Sequence, residues 1–140
     1  MPTPEHPAPT APDPLCGRRL AVLVVQDSRT CCEVIRAYLN RLGEHLAVCA
    51  RDGREALNCL KLMRFDLALL DVELRDRNGV DLALEIGRLA PALPIICTSA
   101  HAPGHGAARW CIENGIDVFL RTPFEPACLS EAIRQALGQK

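Results

Sequence analysis

Five short apolar runs, LAVLVV, HLAVCA, DLALLD, PIICTSA and DVFLRTPF, recur along the chain, and a stretch with helical spacing follows each of them. This alternation limits the fold more than any other feature. Apolar runs of this length fit strands buried on both faces. Five strand-helix pairs in about 120 residues, with no hairpin turn signals between them, require a parallel sheet covered by helices on both sides. The expected fold class is α/β: a doubly wound, five-stranded parallel sheet with five helices.

The helices follow from the spacing. Asp27 or Ser28 can cap the first, in which Cys31, Val34, Ile35, Tyr38, Leu39 and Leu42 recur before Gly43 stops it. The second spans 53–64, with Ala56, Leu57, Leu60 and Met63 inward, and the third runs from Gly79 through Leu82, Leu84, Ile86 and Leu89 until Pro91 forbids its continuation. A less apolar helix is expected over 104–114, closed by Gly115. Pro126 opens the last, with Ala127, Leu129, Ile133, Ala136 and Leu137 inward.

Residues 1–17 hold six prolines, Pro2, Pro4, Pro7, Pro9, Pro12 and Pro14, and almost nothing that could enter a core, so a disordered tail is expected before a folded domain over 18–140. The sequence runs out with the last helix, so no output domain is expected. With 16 basic and 17 acidic residues spread along the chain, no basic stripe argues for nucleic acid. No apolar run approaches the roughly 20 residues that span a bilayer, and the start lacks the plan of a secretion signal. A cytoplasmic location without membrane contact is the expectation. The eight cysteines form no C-x-x-C; Cys49, Cys59, Cys97, Cys111 and Cys128 sit singly in apolar segments and read as packing residues, with Cys16 exposed.

In a parallel sheet the carboxyl ends of all strands lie on one edge, where ligands of open α/β sheets bind. Here those ends carry Gln26-Asp27, Asp71, Thr98-Ser99-Ala100 and Arg121-Thr122-Pro123. Asp27 and Asp71, on neighbouring loops, form a hard-oxygen pair suited to magnesium. For any one of these residues a structural role is the simpler reading: Asp71 can begin a turn, Ser99 can satisfy backbone, and Phe119 is an aromatic that a strand would bury.

Jointly, the segments LVVQD, LLDVELRDRNG, PIICTSA and GIDVFLRTPF resemble the receiver domains of bacterial response regulators, from Leu20 to about Leu137. The resemblance implies the flavodoxin-like receiver topology and a set of roles. Asp71 would be the phosphoacceptor, Asp27 a magnesium ligand beside it, and Glu73 would lend its backbone carbonyl to the metal. Gln26 would reach the metal weakly, through water. Ser99 would contact the phosphoryl group and also act with Phe119 as the switch. It further implies a sensor histidine kinase or phosphotransfer protein as donor, a downstream protein target, and a homodimer through the fourth helix, fifth strand and fifth helix. The protein would accept a phosphoryl group on itself and would not be a turnover enzyme.

Three positions depart from the family pattern. Gln26 stands where the first acid of a pair is usual, Thr122 stands at the usual lysine before Pro123, and Arg75 replaces the loop proline. Loss of one charge beside the metal matters, since a unit pair at about 4 Å and an effective dielectric of about 20 interacts by about 4 kcal/mol before desolvation. Thr122 offers a hydroxyl where a cation would couple phosphorylation to the loops; Arg121, Arg75 and His101 are candidate stand-ins. The main reading is a stand-alone, magnesium-dependent phosphoacceptor acting as a switch or relay. The alternative is a pseudo-receiver, an interaction module that works without phosphorylation. A flavin- or nucleotide-binding enzyme lacks support, because QDSR occupies the place of a Gly-rich phosphate loop.

Overall fold

The computed structural model describes residues 18–74, 79–100, 116 and 118–138, together with the single residues 109 and 113. Five parallel strands, β1 (Ala21–Val25), β2 (Leu46–Ala50), β3 (Leu67–Asp71), β4 (Ile95–Ser99) and β5 (Phe119–Arg121), lie in the order β2-β1-β3-β4-β5. Four helices are described: α1 (Arg29–Gly43), α2 (Gly53–Leu62), α3 (Gly79–Leu89) and α4 (Pro126–Gly138). The helix expected over 104–114 falls mostly outside the described residues, although Arg109 and Glu113 are both helical and exposed. Gly115, Cys16, Cys111 and the expected tail are also outside them.

Strand alternation builds the two cores. Val22 and Val24 of β1, with Leu67 and Leu69 of β3, pack against Cys32, Ile35 and Leu39 of α1 and Leu129 and Ile133 of α4. Leu23 and Val25, with Ala68 and Leu70, pack on the other face against Ala56 of α2 and Leu82, Ala83 and Ile86 of α3. Each strand is therefore apolar on both sides, which is why the sequence shows continuous rather than alternating hydrophobicity.

Several residues lie differently from their helical spacing. Cys32 is buried in α1 while Cys31 is exposed and Val34 is 42% exposed. One position is about 100° around a helix, so a small error in phase moves a residue off the core stripe. Met63, Leu84, Leu89 and Ala127 also face out, and Cys128 is exposed, not packed. The α1 terminus differs too: Gly43 is its last helical residue, and Glu44 takes the left-handed conformation at φ 56°. Gly43 is needed there for space, because a Cβ would lie 2.7 Å from the His45 ring. Ser28, not Asp27, caps α1, its hydroxyl accepting from the Cys31 N–H at 3.2 Å. Such a cap stabilises a helix by about 1 kcal/mol.

Candidate functional site

The carboxyl edge of β1 and β3 assembles around Asp71. Gln26 continues the alternation of Val22 and Val24, and Asp71 that of Leu67 and Leu69, so both project on the α1 side of adjacent strands, just past the core. Gln26 is buried, and its amide spans the gap: Oε1 accepts from the Ser28 N–H at 3.1 Å, and the side chain hydrogen-bonds the Asp71 carboxylate. With the amide oxygen engaged by Ser28, the amide N–H is the donor to Asp71. The Gln26 N–H is itself fixed on the Ala50 carbonyl at 2.9 Å.

Asp71 is half-buried, and its Oδ1 accepts from the Glu73 N–H at 2.8 Å. Burial pushes its carboxyl above the ordinary range, and the charges of Glu73 and Asp27 push in the same direction, against the hydrogen bonds from Glu73 and Gln26. The site thus holds more negative charge than it neutralises. Asp27 is half-buried on the loop between β1 and α1, close enough to repel Asp71. The Glu73 carboxylate is turned towards the β4 loop, with Oε1 3.5 Å from the Ala100 N–H. Among the described residues no three His, Cys, Asp or Glu side chains stand together as a metal cage. A cation at the Asp27–Asp71 pair would need carbonyl and water oxygens for its other positions, as magnesium accepts.

The β4 and β5 loops complete the edge. Asp71 and Thr98 are paired across the sheet, and Ser99 and Arg121 are paired in the next register. Ser99 is 2% exposed; its carbonyl accepts from the Thr122 N–H at 2.8 Å, which ties the two loops. Thr122 is half-buried, and its bond to Pro123 is cis. Arg121 is exposed. Phe119 is half-buried, paired with Cys97 across the sheet and packed on the small cluster that holds Val72 and Cys97. Arg75 and His101 lie outside the described residues.

Sequence reasoning undervalued two residues. Gln26 lacks the charge of an acid, yet its buried side chain lies beside Asp71 and favours the ionised carboxylate. Gly79 lies so close to the loop that a Cβ would fall 2.4 Å from the Val72 Cα and 2.5 Å from the Asp71 carbonyl oxygen. Its N–H donates to the Val72 carbonyl at 3.1 Å, closing the loop that begins at Asp71. A glycine eight positions after a strand-end aspartate was the available signal.

The family described as response regulator receiver domain matches residues 22–134, which include every residue of this edge. The chain belongs to that family. Among curated relatives, the transcriptional regulatory protein ZraR of Escherichia coli K12 is 30% identical over 117 residues, 84% of this chain and 26% of ZraR. A protein-glutamate methylesterase/protein-glutamine glutaminase of Pyrococcus horikoshii is 36% identical over 112 residues, 79% of this chain and 30% of that protein. The chain therefore spans between a quarter and a third of these relatives. The chemotaxis protein CheY of Thermotoga maritima is 29% identical over 119 residues, 85% of this chain and 97% of CheY. A CheY-like receiver domain protein from Methanospirillum hungatei superposes with a TM-score of 0.78 at 24% identity, covering 87% of this chain and 96% of the other. NtrX from Brucella abortus, solved with ADP, gives 0.80 at 27% identity over 86% of this chain and 27% of NtrX. The receiver fold, flavodoxin-like in topology, is thus this protein's fold. Receivers act in two-component signalling with histidine kinases or phosphotransfer proteins. No helix among the described residues is long and apolar enough to cross a membrane.

Proposed function

We propose that this receiver accepts a phosphoryl group on Asp71, with magnesium, from a phosphohistidine on a sensor kinase or phosphotransfer protein. The observation that carries the reading is the Asp71 carboxylate itself: it ends β3 at the ligand edge, is held at Oδ1 by the Glu73 N–H at 2.8 Å, and lies within range of the Asp27 charge. The Glu73 N–H thereby fixes the orientation of the carboxylate, and a fixed carboxylate at the ligand edge is the positioning that attack on phosphorus needs.

Asp27, Asp71 and the Glu73 carbonyl are the oxygens that would hold magnesium; burial first, and then the charges of Glu73 and Asp27, disfavour the Asp71 carboxylate, a cost that a divalent cation would relieve. When bound, the ion supplies charge neutralisation on the transferring oxygens. Gln26 serves this set by orienting Asp71, and it contributes no charge of its own. Ser99 is the hydroxyl that would meet the phosphoryl group, and its backbone link to Thr122 is the path by which the β5 loop would sense it. Phe119, packed on the Val72–Cys97 cluster, is the switch aromatic in this reading. Thr122 provides a hydroxyl in place of a charged donor, so the phosphorylated state is held less firmly than a lysine would hold it. The output is protein binding, to a downstream target or a second copy, through the face of β5 and α4, and the chain acts as an acceptor, not a turnover enzyme.

A second reading has its own observation. Gln26, an uncharged residue, stands beside Asp71 and lends its carboxylate a hydrogen bond, which is what an interaction module with a resting, unmodified site would contain. The test is incubation with magnesium and acetyl phosphate, read by intact mass for wild type and Asp71→Asn. One added phosphoryl group on wild type and none on the variant is expected. An unmodified wild type under conditions that label a control receiver would select the second reading.

A further inference from the structure

At the amino edge of the sheet, the end opposite Asp71, the last turns of α2 and α3 leave an open groove of about 680 Å³. Its floor is apolar: Leu60, Phe65 and Leu93 line it while packing half-buried on the core beneath. Met63 and Leu89 also line it, and they remain 38% and 51% exposed. The wall before β4 is fixed, since the Leu93 N–H donates to the Ala90 carbonyl and the Ala68 N–H to the Pro94 carbonyl, both at 3.0 Å. Large apolar side chains exposed around a concave, preformed site mark a surface that is covered by a partner.

The chain itself arrives at this place. Arg18 lines the groove, with its guanidinium 3.5 Å from one Asp66 oxygen, and the other Asp66 oxygen accepts from the Ala21 N–H at 2.8 Å. Arg19 is fastened next to it, Nε donating to the Glu44 carbonyl at 3.3 Å. The proline-rich segment before Arg18 therefore joins the fold at the groove. Its nearest part, Pro9-Thr10-Ala11-Pro12-Asp13-Pro14-Leu15, offers what the groove lacks. Proline rings and Leu15 are apolar filling, proline-rich chain is extended before it binds and loses little entropy on docking, and its carbonyls are free to accept from an arginine. Asp13 is opposite in charge to Arg64, which is exposed on the groove. Only three residues separate Leu15 from Arg18, about 10 Å of extended chain.

We propose that the segment 9–15 docks in the groove between the ends of α2 and α3 of its own chain, covering Met63 and Leu89. Tethering decides between this occupant and a second copy. A short flexible link gives an effective concentration of about millimolar, so a contact with a dissociation constant of about millimolar is half-occupied within one chain, whereas a second copy at about micromolar fills it roughly a thousandth as often.

The experiment uses the full chain with p-benzoylphenylalanine in place of Leu15, illuminated and mapped by mass spectrometry. The expected product is a link within one chain to the peptides that carry Met63 or Leu89, at a yield unchanged by dilution. Leu89→Glu, a change at an exposed position, should abolish the link to Met63. In a full-length variant carrying Pro12→Ser, Pro14→Ser and Leu15→Ser, amides 89–93 should lose hydrogen-exchange protection while those of β1 keep theirs. No link, a link to another surface, a link between copies whose yield falls on dilution, or equal exchange at 89–93 in the triple variant would each overturn the proposal. These readouts lie at the amino edge and hold whether or not Asp71 accepts a phosphoryl group.

Discussion

Replacing Gly79 by alanine tests whether the Asp71 loop is set by a close backbone approach. The added Cβ would lie 2.4 Å from the Val72 Cα, 2.5 Å from the Asp71 carbonyl oxygen and 2.8 Å from the Val72 carbonyl carbon. All three are backbone atoms, so no side-chain rotation can relieve the contact, and either α3 or the Asp71 loop must shift. Overpacking of this kind costs about 1–3 kcal/mol; with a rigid partner the upper end applies, and about 3 kcal/mol is more than a hundredfold in the folding equilibrium. Gly87, in the same helix, is the control: nothing lies within 4 Å of its Cβ position, so Gly87→Ala should gain about 0.5–1 kcal/mol from helix propensity alone. Urea unfolding of both variants, with m-values compared to wild type, separates stability from changes in compactness. Gly79→Ala within about 0.5 kcal/mol of wild type, with phosphoryl acceptance at Asp71 unchanged, would show that the loop is not anchored at this contact.

Three further outcomes follow from the same geometry. Asp71 is raised by burial, so its charged form is disfavoured in the folded state; that relative stability is fully present below the unfolded value of about 4 and is lost as pH rises through the folded value. Asp71→Asn should therefore be more stable than wild type in urea at pH 7, and the gap should close near pH 3; an equal or lower midpoint at pH 7 would count against a desolvated carboxylate. His45 is buried, with Nδ1 accepting the Leu20 N–H at 2.9 Å and Nε2 without a partner. Burial, and then the Arg19 charge, lower it, so its contribution is present above the unfolded value of about 6.5 and is lost as pH falls below it. His45→Gln, which can keep an acceptor for Leu20, should flatten stability between pH 7 and 5, and an unchanged slope would assign it elsewhere. Finally, Thr122→Lys should tighten binding of the phosphoryl mimic beryllofluoride by about ten- to a hundredfold, the equivalent of a charged hydrogen bond of about 1.5–3 kcal/mol; no change in the titrated affinity would mean that a lysine here does not reach the site.

Much of this architecture was legible because its signals are local. Continuous apolar runs separated by helical spacing specify strands covered on both faces, and the polar residues that end those runs mark the ligand edge. Asp27, Asp71 and Ser99 could be singled out from strand ends alone. The phase of individual helices was less legible: Cys31 and Cys32 are adjacent, and only packing against β1, β2 and α4 decides which one turns inward. The same holds for Ala127 and Leu84, apolar residues left outside because the core stripe was already filled by Leu129 and Ile133, and by Leu82 and Ile86.

What the sequence by itself determined is the alternation of strands and helices, the family, and the carboxylate at the end of β3, since each depends on residues near in the chain. The tertiary structure alone decided that Gln26 stands buried beside Asp71, that Gly79 lies against the Asp71 carbonyl, and that the Cys32 thiol meets the Gln26 carbonyl. Those contacts arise from strand order and register, with β1 seated between β2 and β3. Local periodicity sets which face a residue takes, but not which distant residue it meets there.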